Sequence, residues 1–309
     1  MPTASVVVPT HDRNHLLLQT LGSVIRQGDV DLEVIVVDDG STQDVAAAVA
    51  SLSDDRIRVV RNERSQGVAR ARNRGMEEAG GEWVAFVDDD DLWAPDKLTS
   101  QLQALARTGR RWAYTGAVNI TASAQVIGGA PPAPPEEVAA SLPRRNTVPG
   151  GGSNVVAARS LLDEVGGFDP TLFNTEDWDM WIRMARAALP AWVPRPLLAY
   201  RVHATNASLV VSEIIAGART IERRYGGPVD RGVVDRYLAE LCLRSGDRLQ
   251  AVRFFARGAV RGQAKGVSSD LASIARRRLR RSSSDGAKPR EPQWLAEGRA
   301  WVEDLHEKG

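Results

Sequence analysis

The sequence holds a single cysteine, which excludes an internal disulfide; Cys242 falls in an apolar stretch where a small buried residue fits. It has no apolar run of the roughly 18 residues that a spanning helix needs. The amino terminus passes straight into a β-branched stretch, without the charged segment and cleavage site of a secretory signal, so a cytoplasmic chain is expected. An excess of one charge is lacking as well: 40 Lys and Arg face 39 Asp and Glu, a net of +1. That balance removes the electrostatic case for nucleic acid as a partner. What is present has globular proportions, 43% hydrophobic and 26% charged, and 309 residues suit one large domain with a smaller partner.

Two short, nearly continuous apolar runs, ASVVVP at 4–9 and LEVIVV at 32–37, have the character of buried parallel strands. Between them, residues 15–26 carry Leu16, Leu17, Leu21, Val24 and Ile25 at helical spacing, which predicts a β-α-β unit. Residues 56–61 predict a third strand, 67–79 a helix, and 83–87 a fourth strand running into Asp88, Asp89, Asp90 and Asp91. Alternation of this kind predicts a doubly wound α/β open sheet whose ligands gather beyond the carboxyl ends of the strands. Polar residues collect at those ends: Thr10, His11 and Asp12 after the first strand, Asp38 and Asp39 after the second, Asn62 after the third.

Like charges packed together repel and raise their own pKa values unless a cation neutralises them, so four successive aspartates at a strand end need a reason. Magnesium and manganese prefer hard oxygen ligands, commonly one or two carboxylates completed by substrate phosphates. A solvated acidic loop is the alternative.

From Gly128 to Gly152 proline and glycine crowd both margins, which predicts a mobile loop with a short helix inside. A strand at 153–158 and helices at 160–165 and 176–188 follow, the last with acidic residues in its first turn. Beyond Ser208, residues 210–225 and 231–262 are predicted helical, with one tetratricopeptide-like hairpin turning at Gly246 and Asp247. The basic run from Arg276 to Arg281 suits either contact with anionic lipid or a solvated helix end before a polar linker. A last amphipathic helix at 293–306 carries Trp294 and Trp301, as core anchors or membrane contacts.

Six stretches in this order resemble the family-two glycosyltransferases: VVVPTHDR at 6–13, VIVVDDGSTQD at 34–44, GVARARNRG at 67–75, FVDDDDLW at 86–93, VGGFDPTLFNTEDWDMWIR at 165–183 and YRVHATNAS at 200–208. The resemblance covers about residues 4–208 and implies a GT-A fold, a Rossmann-like open mixed sheet, followed here by a carboxyl-terminal α-helical extension over 209–309. The nucleotide-binding half would be about 1–120 and the acceptor half about 121–208. It also implies an inverting, metal-dependent transfer of a sugar from a nucleotide diphosphate, UDP favoured and dTDP the alternative, with Mn2+ or Mg2+ as cofactor.

By the same resemblance, Asp39 would accept the imide proton of a uracil or thymine ring, in a pocket lined by Pro9 and Thr10, with Asn62 nearby; a carboxylate is acceptor-only, which suits that contact. Asp38 would cap the Asp-Gly-Ser turn. Arg72 would reach the nucleotide with its fork of donors. Asp88 and Asp89 fall on the nucleotide side, Asp88 at the ribose, and Asp90 on the metal with His203; Arg201 and Ser208 would hold diphosphate oxygens. Asp177 would be the general base that deprotonates the acceptor hydroxyl, with Glu176 and Asp179 turned elsewhere at about 100° per helical residue. Helix capping is the competing role for Asp177.

Departures from the family pattern bear on the reaction. No Gln-x-x-Arg-Trp segment is present, so single transfer is expected rather than processive polymerisation. Acceptors left open are glycans, lipid-linked oligosaccharides and other hydroxyl compounds; the carboxyl-terminal helices could pair copies of the chain. The non-enzymatic alternative is an inactive nucleotide-sugar-binding or scaffold protein that works through its helical region.

Overall fold

The β-branched runs form the expected strands because a buried parallel ladder satisfies their backbone and leaves both faces apolar. A computed structural model describes residues 2–202, 211–244, 246–268 and 291–307. Strand β1 (Ala4–Thr10) leads into α1 (Asn14–Val24), β2 (Leu32–Asp38), α2 (Val45–Ala50), β3 (Ile57–Arg61), α3 (Val68–Glu78) and β4 (Trp83–Phe86). β1 pairs in parallel with β2 and β4, and β2 with β3. Every residue of β1 is buried.

After the acidic cluster come β5 (Leu92–Trp93), α4 (Lys97–Thr108), β6 (Trp112–Ile120), β7 (Val126–Ala130), α5 (Pro135–Ser141), a 3-10 turn at Gly151–Asn154 and β8 (Val156–Ala158). α6 (Arg159–Val165), α7 (Glu176–Ala187) and β9 (Ala191–Arg201) complete this stretch. The nine strands form one mixed sheet in the order β3-β2-β1-β4-β8-β6-β9-β5, with β7 on the side of β6. β8 runs antiparallel to both β4 and β6, which makes the sheet mixed rather than wholly parallel.

The expected mobile loop is corrected at its start. Val126–Ala130 is a strand antiparallel to β6. Its glycines mark close approach: a Cβ on Gly129 would lie 2.4 Å from the Ala117 carbonyl oxygen. The expected inner helix is α5.

Two compact units divide the chain. The first comprises Met1–Leu142, Asn146–Val202 and Gln293–Gly309, and the second Pro143–Arg145 with His203–Pro292. In the second, α8 (Val211–Tyr225), α9 (Arg231–Arg244) and α10 (Arg248–Gly258) share a core in which Leu238, Cys242, Ala251, Phe254 and Phe255 are buried. Asp247 caps α10 by accepting from the Gln250 N–H at 3.0 Å, at the turn of the expected hairpin.

The last helix, α11 (Gln293–Glu307), sits with the sheet and not with the helices that precede it in sequence. Val302 is buried in a cluster with Val118, Ile120 and Ala199, against which Trp294 and Trp301 pack. Trp301 Nε1 donates to the Pro196 carbonyl at 2.7 Å, and Glu297 pairs with Arg195 at 2.6 Å. Both tryptophans therefore anchor the helix to the sheet. Among the described residues no helix is long and apolar enough to cross a membrane.

Candidate functional site

The carboxyl ends of β1, β2, β3 and β4 bring together the polar residues singled out in the sequence. Pro9 and Thr10 close β1 and are buried, and Thr10 Oγ1 donates to Asp89 at 2.6 Å. At the end of β2, Asp38 accepts from the Ser41 N–H at 2.8 Å, the turn-capping role expected of it, and pairs with Arg61. Asp39 receives Asn62 Nδ2 at 2.8 Å, Ser65 Oγ at 2.9 Å, and the N–H groups of Gln66 at 2.9 Å and Gly67 at 2.8 Å. Asp39 thus shapes the 62–67 loop that feeds α3, and it brings Asn62 to its side.

Arg72 lies on the face of α3 that meets the acidic cluster, and only 3% of its side chain is exposed. One arm donates to Asp88 at 2.5 Å, the other to Glu176 at 2.9 Å, and the guanidinium stands 5.3 Å from the centre of the Phe168 ring. Burial works against its charge, but Asp88 and Glu176 outweigh burial and hold the pKa above the usual arginine value. Arg72 is therefore the tie between the strand-end aspartates and the first turn of α7.

The four aspartates have four environments. Asp88, with 30% of its side chain exposed, pairs with Arg72. Asp89 is pushed up to about 6, first by burial and then by Asp90, against the pull of Arg13 and Thr10. Asp90 meets Arg13 Nη1 at 2.9 Å. Asp91 has no exposure; it accepts from Ser153 Oγ at 2.5 Å and from the Arg201 N–H at 2.7 Å, and burial, then Asp90 and Asp88, drive its pKa well up. Arg201, 1% exposed, donates from Nε to the Asp90 carbonyl at 2.6 Å and from its other nitrogens to the Ala122 carbonyl at 2.6 Å and Gln19 at 2.9 Å. Its place is behind the aspartates, holding their loop. His203 and Ser208 lie outside the described residues.

Among the described residues no cluster of three or more His, Cys, Asp or Glu forms a preset metal cage. The donor chemistry nevertheless fits a hard divalent ion: partly exposed Asp88 and, two residues on, buried Asp90 offer carboxylate oxygens, and the neighbouring aspartates that add to burial in raising Asp89 and Asp91 repel one another in a way a cation would relieve. Sites for magnesium or manganese commonly use one or two carboxylates and leave the remaining positions to phosphate and water.

Asp177 opens α7, whose position is fixed by Trp181 stacked on Trp112 at 6.4 Å and by Trp178 Nε1 donating to the Leu142 carbonyl at 2.6 Å. Its carboxylate accepts from the Trp178 N–H at 2.6 Å. Burial and then Glu176 push it up to about 7, opposed by Arg72. The glycine triplet makes this arrangement possible: Gly151 has φ +55, and a Cβ there would stand 2.9 Å from Asp177 Oδ2, while one on Gly152 would stand 2.5 Å from Arg72 Nη2. Asp179 pairs with Arg183 at 2.8 Å and turns elsewhere as expected, whereas Glu176 turns into the site, where it holds Arg72 at 2.9 Å.

Three contributors escaped the sequence reading. Arg13 stood inside the first motif, and its signal was a cation at a strand end beside four acids. Ser153 donates to Asp91 and accepts from the Asp88 N–H at 2.9 Å, yet it lay at the edge of an expected loop. Glu176 holds Arg72 across 104 residues of sequence, a pairing with no local signal.

Residues 5–165 match the family described as Glycosyl transferase family 2. The chain is 31% identical over 124 residues to the UDP-Glc:alpha-D-GlcNAc-diphosphoundecaprenol beta-1,3-glucosyltransferase WfgD of Escherichia coli, covering 40% of this chain and 49% of that protein. It is 41% identical over 106 residues to the GalNAc(5)-diNAcBac-PP-undecaprenol beta-1,3-glucosyltransferase of Campylobacter jejuni, covering 33% and 34%. The match thus spans under half the length of either relative. Among solved structures, S. aureus TarS 1-349 in complex with UDP-GlcNAc shares the fold with a TM-score of 0.61 at 18% identity, over 91% of this chain and 92% of that one. The mannosyltransferase PcManGT of Pyrobaculum calidifontis, in complex with GDP-Man and Mn2+, gives 0.53 at 19% identity, over 99% and 86%.

Proposed function

The chain belongs to glycosyl transferase family 2, and from that premise we propose that it transfers a sugar, with inversion, from a nucleotide diphosphate to an acceptor hydroxyl. The observation that carries this reading is Asp177: a carboxylate pushed up to about 7, at a helix start beside the Arg72–Asp88 pair. A general base works best with a pKa near the operating pH. The acceptor O–H gives its proton to Asp177 while its oxygen bonds to the anomeric carbon. The bond from that carbon to the diphosphate oxygen breaks, and the nucleoside diphosphate leaves with the electron pair. Attack from the face opposite the leaving group inverts the anomeric centre.

Pro9, Thr10, Asp39 and Asn62 receive the base, and Asp88 and Asp89 the ribose side. Asp39 does so from a carboxylate that already orders the 62–67 loop. UDP is the favoured nucleotide, in keeping with the UDP-Glc in the name of one relative and the UDP-GlcNAc in the TarS complex. Asp90 would hold a divalent ion, the resemblance assigning His203 to the metal and Ser208 to the phosphates, both outside the described residues; such an ion would neutralise charge on the departing diphosphate. Both curated relatives carry a diphosphoundecaprenol acceptor in their names, so the proposed acceptor is a hydroxyl on a sugar linked to a polyprenyl diphosphate.

Calorimetric titration of UDP, with Mn2+ and with chelator, tests the assignment. Binding that requires the metal, disappears in Asp90→Ala and persists in Asp177→Ala supports it. Equal binding with chelator refutes the metal role, and a turnover rate unchanged in Asp177→Ala refutes the base. Nucleotide binding without turnover of any UDP- or dTDP-sugar would favour the binding-protein alternative.

A further inference from the structure

One helix of the second unit is apolar on two faces. α10 turns Ala251, Phe254, Phe255 and Gly258 into the helical core. On its opposite side Leu249 is 65% exposed, Val252 64%, and Val260, two residues past the helix end in the π-helical turn Ala259–Gln263, 88%. With exposed Ala256 these residues fall three, four and four positions apart, which at about 100° per residue makes a single stripe on the face away from the core. Large apolar side chains at such exposure cost solvation unless something covers them.

The charges beside the stripe say what that something is. Between Arg248 and Ser268 the sequence has Arg248, Arg253, Arg257, Arg261 and Lys265 and no acidic residue. Arg253 and Arg257 border one side of the stripe at helical spacing, and Arg248 the other. Arg257 and Arg261 pair with buried Asp235 at 3.2 and 2.6 Å, whereas no ion pair holds Arg248, Arg253 or Lys265 among the described residues. A second copy of the chain docked through this same face would set cations against cations. An exposed strip of short apolar side chains bordered by arginine instead matches a bilayer surface, which supplies acyl chains and dense phosphate charge without demanding a shaped partner.

We propose that the exposed face of α10, centred on Leu249, Val252 and Val260, seats the protein on anionic phospholipid. None of these residues belongs to the run 276–281, which lies outside the described residues.

The test is co-sedimentation of the full chain with vesicles of phosphatidylcholine alone and of phosphatidylcholine with phosphatidylglycerol. Binding is expected only to the anionic vesicles. Arg248→Gln with Arg253→Gln should lower the partition coefficient about 25-fold, since each cation near such a surface contributes about fivefold. Val252→Asp with Val260→Asp should abolish binding. All four positions are exposed, so these variants should keep the parent's helical circular dichroism and UDP affinity, which separates loss of docking from loss of the donor site. With the arginines of 276–281 changed to glutamine, preference for anionic vesicles should persist. The proposal is overturned by no vesicle binding, by equal binding to neutral vesicles, by wild-type binding of the aspartate variant, or by complete loss on neutralising 276–281 alone. Self-association that Val260→Asp removes, without any vesicle binding, would also overturn it and assign the face to a second copy.

Discussion

Replacing Asp177 by Asn removes the base and leaves a side chain of nearly the same size at the start of α7. The wild-type carboxyl, pushed up to about 7 by burial and Glu176, is half ionised near that pH. Only the ionised form accepts the proton, so kcat/KM should be level above about pH 8, bend near 7, and fall about tenfold per unit on the acid side. The Asn variant should lose about 10²–10⁴ in kcat and keep its donor affinity, since general base catalysis typically contributes that much. The stability effect has the opposite sign. The folded state holds the Asp177 proton up to about 7, whereas an unfolded chain releases it near 3.8, as an ordinary aspartate does. Ionisation therefore works against folding as pH rises through that window, and the Asn variant should melt at a higher temperature than the parent above about pH 7 and at the same temperature below about pH 4. Initial rates against pH, paired with thermal melts of both proteins, read the two signs together. A kcat/KM profile that stays flat down to about pH 5, or bends near 4, would refute the role given to Asp177.

Arg72→Met should destabilise the first unit by about 3–5 kcal/mol near neutral pH, because it strands Asp88 and Glu176 with their partner gone. The orphaned carboxylates then gain protons more readily in the folded state, so the deficit should narrow on acidification; melts at two pH values check it, and a deficit equal at both would contradict the pairing. Arg13→Gln should raise affinity for Mn2+ in the absence of nucleotide on the order of tenfold, since Arg13 lies 2.9 Å from Asp90 and 3.3 Å from Asp89 and competes for their oxygens. Electron paramagnetic resonance of free Mn2+ measures this, and unchanged affinity would count against the ion binding there. Gly151→Ala should cost about 1–2 kcal/mol for its left-handed backbone and lower kcat more than it changes KM for the donor, because the new methyl group meets Asp177; equal melting and equal kcat would dismiss the fit described for the triplet.

Strands β1, β2 and β4 were legible because their apolar runs are nearly continuous and each ends in polar residues, and β3 by its β-branched Ile57, Val59 and Val60 despite Arg58 between them. β6 and β9 were not: β6 mixes Thr115, Gly116 and Asn119 into its run, β9 contains Pro194 and Pro196, and their shared register shifts around Gly116. Neither signals a strand until its neighbour is known. At the site, the residues of β1, β2, α3, β4 and α7 could be named from motifs, while their present partners could not. Asp39 reads as a ligand group, yet its surroundings are decided by the turn at 65–67. Arg72 reads as a nucleotide contact, yet it is buried between carboxylates from two distant segments. Ion pairing across such separations depends on the completed fold, which local periodicity does not encode.

The return of α11 to the sheet has a topological meaning. In sequence, His203–Pro292, the main part of the second unit, lies between β9 and α11, so this part is an insertion joined to the first unit at both ends. Cutting the chain after β9 would remove the unit and also uncover the apolar bed of Leu92, Val118 and Val126 on which Trp294 and Trp301 rest. An inserted cassette can instead be exchanged for another, provided the stub that carries Gln293–Glu307 is retained. Swapping at those two seams is thus the way to graft a foreign helical module onto this sheet, or this module onto a foreign one, without opening the frame.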